Sequence, residues 1–266
     1  MDTLKSDQGA GSLKRGVLLL KLLATAGPRG LPLTDIAARA ALPHPSAHRV
    51  LKQLSAERLV DRHPQLRRYR LGPLAFELGM AGSTMYDISD LCSPAMDTLA
   101  KSTEDTVYLV VRSGFDAVCM HRREGSFPIR ALVLEVGSRR PLGVGAGGLA
   151  ILAALDEEER VKIIERVAPV LSPFGHLTPE AVAEACASTR ERGASVIEST
   201  INRGVTAIGH HFCDGMGQAI GALSVAALSQ RMRPPRIRAI GDLLKDACAN
   251  VEKRLRARQR TGWLAG

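Results

Sequence analysis

The strongest constraint on this chain is the confinement of its charge to one end, over a stretch patterned as three short helices and a basic hairpin. Between Leu13 and Gly72, twelve Lys and Arg stand against Asp35, Glu57 and Asp61, a balance of +9 that equals the net charge of all 266 residues. Downstream of Gly72, 23 basic residues face 22 acidic ones, so the excess nearly vanishes. A polyanionic partner is therefore expected at one end of the molecule only.

The local pattern at that end is specific. Val17, Leu18, Leu20, Leu22 and Leu23 recur at helical spacing until Gly27-Pro28-Arg29-Gly30 stops the run. Leu31-Pro32-Leu33 leads into Thr34, a candidate cap for a second helix from Asp35 to about Ala40, with Ile36, Ala37 and Ala40 facing inward. After the break at Ala41 to His44, Pro45 suits the first position of a third helix, where its missing N–H is not needed. Ala47, Val50, Leu51 and Leu54 form the buried stripe of that helix, and Ser46, His48, Arg49, Lys52 and Gln53 form a polar face able to reach phosphates and base edges. At 1.5 Å per residue such a helix is about 20 Å long, enough to cross a major groove.

Two short strands follow, Leu59 to Asp61 and Tyr69 to Leu71, with a basic segment between them. A hairpin placed directly behind a helix-turn-helix is a wing. Its Arg67, Arg68 and Arg70 are candidates for phosphate or minor-groove contact, which adds affinity more than sequence choice. The plain alternative for all these cations is a solvated surface, and the preceding turn and following wing favour DNA.

A length of 266 residues is natural for two unequal domains. Met1 to Ser12 reads as a disordered polar tail, residues 13–72 as the winged domain, 73–85 as a helical linker ending at Gly82-Ser83-Thr84, and 86–266 as a second domain. The second domain has an α+β pattern. A helix from about Asp90 to Lys101 precedes strands over Thr106 to Arg112 and Ala117 to Arg122. Helical stretches cover Gly147 to Leu155, Glu157 to Val167 and Pro179 to Arg192, and strands cover Ser195 to Glu198, Val205 to His211 and Ala219 to Ala227. A long helix from Pro234 to about Arg258 closes the chain.

Several function classes drop out. No uncharged apolar run approaches the ~18 residues a membrane span needs. Five widely spaced cysteines without a C-x-x-C pair or a signal-like leader suggest a reduced, cytoplasmic setting. Gly143-Val144-Gly145-Ala146-Gly147-Gly148 satisfies G-x-G-x-x-G, but Pro141 interrupts its approach and a charged helix stands where the acidic partner strand should be, so no cofactor is expected. That segment reads instead as a loop at a helix start, either a purely structural turn or one whose amides hold an effector carboxylate. His210-His211 with Cys213 and Asp214 invites a metal, yet adjacent residues on a strand point to opposite faces, so no metal site is expected. No catalytic constellation is apparent.

Leu42 to Leu51, Tyr69-Arg70-Leu71-Gly72, Arg140-Pro141-Leu142, Gly204 to Gly209 and Ile220 to Val225 together resemble the IclR family of bacterial transcription regulators, over Leu13 to Gly82 and Gly137 to Ala226. The resemblance implies a winged helix-turn-helix, a helical linker and a GAF-like C-terminal domain that binds a small organic effector. It also implies homodimers or homotetramers on roughly palindromic double-stranded DNA. Mapped by position, the effector pocket lies around Val144, Gly145, Ala146 and Gly147, Ile197, Ala207, Ser224 and Ala226. Members that bind small acids tend to carry a polar group at Ile197, a cysteine at Ala207 and a hydroxyl at Ala226, so an aromatic or longer-chain acid is expected here. A hydroxyl residue is common at Pro45, which leaves Ser46 alone of the usual pair. The competing class is an enzyme acting on a small molecule through the second domain, with the basic head as an accessory.

Overall fold

The computed structural model describes residues 3–26, 29–81, 84–199 and 201–262. Contacts divide the chain into two compact units, Met1–Tyr86 and Asp87–Gly266.

The first unit contains α1 (Thr3–Ala26), β1 (Leu31–Pro32), α2 (Leu33–Arg39), α3 (His44–Ala56), β2 (Val60–Arg62), β3 (Arg68–Leu71) and α4 (Pro73–Ala81). Leu19 and Leu23 from α1, Ile36 from α2, Val50 and Leu51 from α3, and Val60 and Tyr69 from the hairpin close one aliphatic core. Each such side chain, fully buried, contributes about 1.5–3 kcal/mol, so the helical spacing of these residues suffices to fix three helices against the wing.

Three expectations change here. The polar tail expected over Met1 to Ser12 is helical from Thr3 onward, continuous with α1, since no proline interrupts that stretch. Thr34 does not cap α2. The helix starts two residues earlier than expected, at Leu33, with Pro32 at the N-cap and no side-chain cap bond. The reason is that Leu31 and Pro32 are drawn into a strand opposite Tyr69 and Arg68, which moves the turn upstream. Pro45 occupies the second rather than the first position of α3. Of the break expected at Gly82-Ser83-Thr84, Gly82 and Ser83 lie outside the described residues and Thr84 opens a helix.

The second unit follows α5 (Thr84–Thr103) with β4 (Thr106–Ser113), β5 (Asp116–Arg123), β6 (Arg139–Pro141), α6 (Ala146–Ala154), α7 (Glu157–Val167) and α8 (Pro179–Arg192). It ends with β7 (Ser195–Glu198), β8 (Val205–Cys213), β9 (Ala219–Leu228) and α9 (Pro234–Gly262). The strands form one antiparallel sheet in the order β6-β5-β4-β9-β8-β7. Alternation along β4 and β9 assigns the two faces. Val107, Leu109, Val111, Leu223, Val225 and Ala227 pack with α5 and α9, while Tyr108, Val110, Ala222 and Ala226 pack with α6, α7 and α8.

Helices α7 and α8 each begin at a side-chain cap. Asp156 accepts from the Glu159 N–H at 2.8 Å and Thr178 accepts from the Ala181 N–H at 3.2 Å. Among the described residues no helix is long and apolar enough to cross a membrane.

Candidate functional site

In the first unit, α3 turns Ala47, Val50 and Leu51 inward and leaves Pro45, His48, Arg49 and Lys52 exposed. Ser46 is half-buried at the start of the same helix. Thr34, Pro45, His48 and Arg67 line one open groove between α3, the start of α2 and the wing, together with Arg62 and Tyr69. Arg62, which the sequence reading did not single out, lies over the Tyr69 ring at 5.5 Å. Its signal was its place two residues after Val60, on the same face of β2.

Two of the wing arginines are engaged within the protein. Arg68 donates from Nε and Nη2 to the carbonyls of Arg29 and Gly30 at 2.9–3.2 Å, tying β1 to the wing. Arg70 donates from Nε and Nη2 to Asp61 Oδ2 at 3.0 and 2.7 Å, a cross-strand pair set by the hairpin register. Arg67 sits at the hairpin tip with φ of 50° and is exposed. Of the three, it alone has a side chain with no partner among the described residues.

In the second unit all eight positions mapped to the effector pocket line a single cavity. Val144, Gly145, Ala146 and Gly147 come from the start of α6, Ile197 from β7, Ala207 from β8, and Ser224 and Ala226 from β9. It comprises about 600 Å³ of space not filled by protein, part of it open to solvent at the mouth.

The cavity exists because the sheet is lined there by small residues. Ala207 stands opposite Ala226, and Gly209 opposite Ser224. Helix α6 closes the space from above by approaching the sheet very tightly. A Cβ on Gly209 would lie 2.7 Å from the Ala146 carbonyl oxygen, and one on Gly147 would lie 2.4 Å from a Val110 methyl. Ser195 fixes the same junction by donating to the Ala146 carbonyl at 2.6 Å. Gly145, with φ of 78°, is the N-cap that lets the chain turn into α6.

The sequence reading missed the polar part of the wall, Tyr108, Cys119 and Arg140. Tyr108 is the cross-strand partner of Ser224. Its hydroxyl donates to the Ala131 carbonyl at 2.7 Å and accepts from the Val133 N–H at 2.9 Å, so it pins the segment joining β5 to β6. Burial raises the Tyr108 phenol and pushes the Cys119 thiol up to about 11, so both stay neutral at physiological pH. Burial pulls Arg140 below its ordinary value, against the opposing pull of Tyr108 and Cys119, yet a guanidinium keeps its charge.

His210 and His211, expected to diverge on opposite faces of β8, instead have stacked rings with centroids 5.0 Å apart and planes 9° apart. The strand is irregular next to them, between Phe212 and Cys213, and His210 Nδ1 lies 2.8 Å from the His211 carbonyl, which draws the rings together. No group of three or more His, Cys, Asp or Glu among the described residues is arranged to hold a metal ion. All five cysteines are free.

A winged helix-turn-helix with an exposed basic reading helix, on the same chain as a domain enclosing an apolar cavity, defines a ligand-sensing regulator of transcription. Residues 81–253 match the family described as bacterial transcriptional regulator IclR C-terminal, and residues 12–64 match the IclR helix-turn-helix domain. The chain belongs to the IclR family.

Among its relatives is the HTH-type transcriptional repressor AllR of Escherichia coli strain K12, 27% identical over 251 residues, covering 94% of this chain and 92% of that protein. Similar solved structures include an IclR regulator from Alicyclobacillus acidocaldarius, 24% identical with a TM-score of 0.73, covering 91% of this chain and 98% of that one. Another is an IclR homologue from Microbacterium hydrocarbonoxydans complexed with 4-hydroxybenzoate, 25% identical with a TM-score of 0.70, covering 92% and 99%.

Proposed function

We propose that this regulator senses an aromatic carboxylic acid in the cavity under α6 and transmits its presence as a change in operator affinity. The observation that carries the reading is the cavity wall. Ile197, Ala207 and Ala226 make it apolar at positions where family members that bind small acids tend to carry polar groups, and Tyr108, Ser224 and Arg140 supply a few polar groups to orient a ring with one charged end. The solved relative that holds 4-hydroxybenzoate supports the same ligand class.

Operator contact is assigned to Ser46, His48, Arg49 and Lys52 on α3, with Thr34, Pro45, Arg62 and Arg67 bordering the groove. Arg68 and Arg70 are reassigned to holding the wing in shape, because their guanidinium groups already have partners. Leu13, Val17 and Leu18 on α1 and Phe76 and Leu78 on α4 are exposed apolar side chains, which supports a homodimer that buries them and matches a two-fold operator. The relatives' description as transcriptional repressors supports a cytoplasmic sensor in preference to an enzyme.

Linkage sets the mechanism: an acid that binds one arrangement of the protein more tightly than another shifts operator affinity by the ratio of those affinities. A thermal-shift screen of benzoate, 4-hydroxybenzoate, glyoxylate and pyruvate, followed by gel shift with the DNA upstream of the protein's own coding sequence, tests it. Stabilisation and altered mobility with the aromatic acids are expected. Response to glyoxylate or pyruvate alone would overturn the aromatic assignment, and turnover of any of these acids would favour an enzyme.

A further inference from the structure

The sheet of the second unit carries five arginines on its strands: Arg112, Arg122, Arg123, Arg139 and Arg140. Four are paired with carboxylates. Arg112 meets Glu159, Arg122 meets Glu124 and Glu135, Arg123 meets Asp97, and Arg139 meets Asp116. Arg140 has no acidic partner among the described residues. Its side chain faces the cavity, donates one hydrogen bond from Nη2 to the Val133 carbonyl at 2.7 Å, and lies 6.0 Å from the centroid of the Phe174 ring. A half-buried cation with a single carbonyl partner in an apolar wall is electrostatically incomplete.

We infer that Arg140 is the specificity-determining residue of the cavity, a guanidinium whose missing counter-charge is the carboxylate of the bound ligand. The inference rests on the reading of the cavity as an effector site and adds to it the group that distinguishes an acid from its neutral analogue. A guanidinium has five N–H donors in a planar fork, and the Val133 bond uses one of them, so a forked contact to a carboxylate remains available.

The geometry supplies a second consequence. Arg140 and Tyr108 hold neighbouring points of the segment between β5 and β6, at Val133 and at Ala131 and Val133 respectively. A carboxylate that draws the guanidinium inward competes with the Val133 carbonyl, so recognition of the ligand's charge reaches the segment that covers the cavity.

Calorimetry on the full-length protein tests the inference with two acids, benzoate and 4-hydroxybenzoate, and two neutral probes of similar shape, benzamide and methyl benzoate. The wild type is expected to prefer the acids at least tenfold, and Arg140→Gln to remove that preference while the neutral probes still bind. Arg140→Lys keeps the charge but not the fork, and is expected to retain a reduced preference, which decides the matter should the glutamine variant fold poorly. Equal binding of acid and neutral probes by the wild type, or an undiminished preference in Arg140→Gln, overturns the role of Arg140 and leaves the cavity's role as an effector site standing. Failure of the wild type to bind any of the four overturns the aromatic reading and this inference with it.

Discussion

In the first unit Arg49 and Arg67, like Lys52, stand exposed without a carboxylate partner among the described residues, whereas in the second unit the strand arginines, Arg140 excepted, are neutralised by neighbouring acids. The same residue type therefore does opposite jobs. Unpaired surface cations keep their field available to a phosphate backbone and release counterions on binding. Paired ones fix strand edges and turns, and their charge is largely cancelled at a distance. Formal charge alone locates the DNA-binding end, and pairing identifies which cations remain available there.

That contrast breaks most visibly if the two units are not energetically separable. Leu51 is fully buried in the first core. Leu51→Ala is expected to cost about 2–5 kcal/mol and to abolish operator binding, while calorimetry still finds the second unit's ligand bound. Loss of ligand binding in the same variant would make the units one cooperative block.

A smaller effect isolates the cavity. Ala226→Leu fills space between β9 and α6, and is expected to remove the stabilisation that a ligand at a hundred times its Kd provides, about 2.7 kcal/mol, leaving ligand-free operator affinity unchanged in a gel shift. The reading helix should respond in the reverse sense. Arg49→Ala is expected to weaken operator binding by about 1–3 kcal/mol without altering ligand affinity, and Lys52→Ala to lower the salt dependence by about one ion.

The weakest effect concerns the stacked histidines. Burial, with the His210 charge second, lowers His211 below its ordinary 6.5, and Glu252 opposes this. A histidine whose folded value is depressed takes up protons more readily when unfolded, so its contribution is present above about pH 6.5 and is lost as pH falls below that value. His211→Asn should flatten that decline in urea-unfolding stability between pH 7 and 5.

What the sequence disclosed follows physical range. Helices α7 and α8 coincide with the expected spans because their start signals, Asp156 and Thr178-Pro179, act within one turn. Strands β1 and β6 escaped notice because each exists only through its partner, two residues against β3 and three against β5, and each contains a proline that an edge position tolerates. Thr34 lost its capping role to that same pairing. The small cavity-lining residues were located through the family resemblance. Tyr108 and Arg140 were not, because their function depends on the segment from Glu124 to Ser138, which has no periodicity to read. Alternation along β4 could have placed Tyr108 on the cavity face with Val110.

The most direct test of the account is the salt dependence of full-length protein binding to duplex DNA from upstream of its own coding sequence, compared with a His48→Ala, Arg49→Ala, Lys52→Ala, Arg67→Ala variant. Steep loss of wild-type affinity with rising salt, and a much shallower slope and weaker binding in the variant, are predicted. Equal affinity and equal slope for the two proteins would contradict the assignment of DNA binding to the exposed face of α3 and the wing tip.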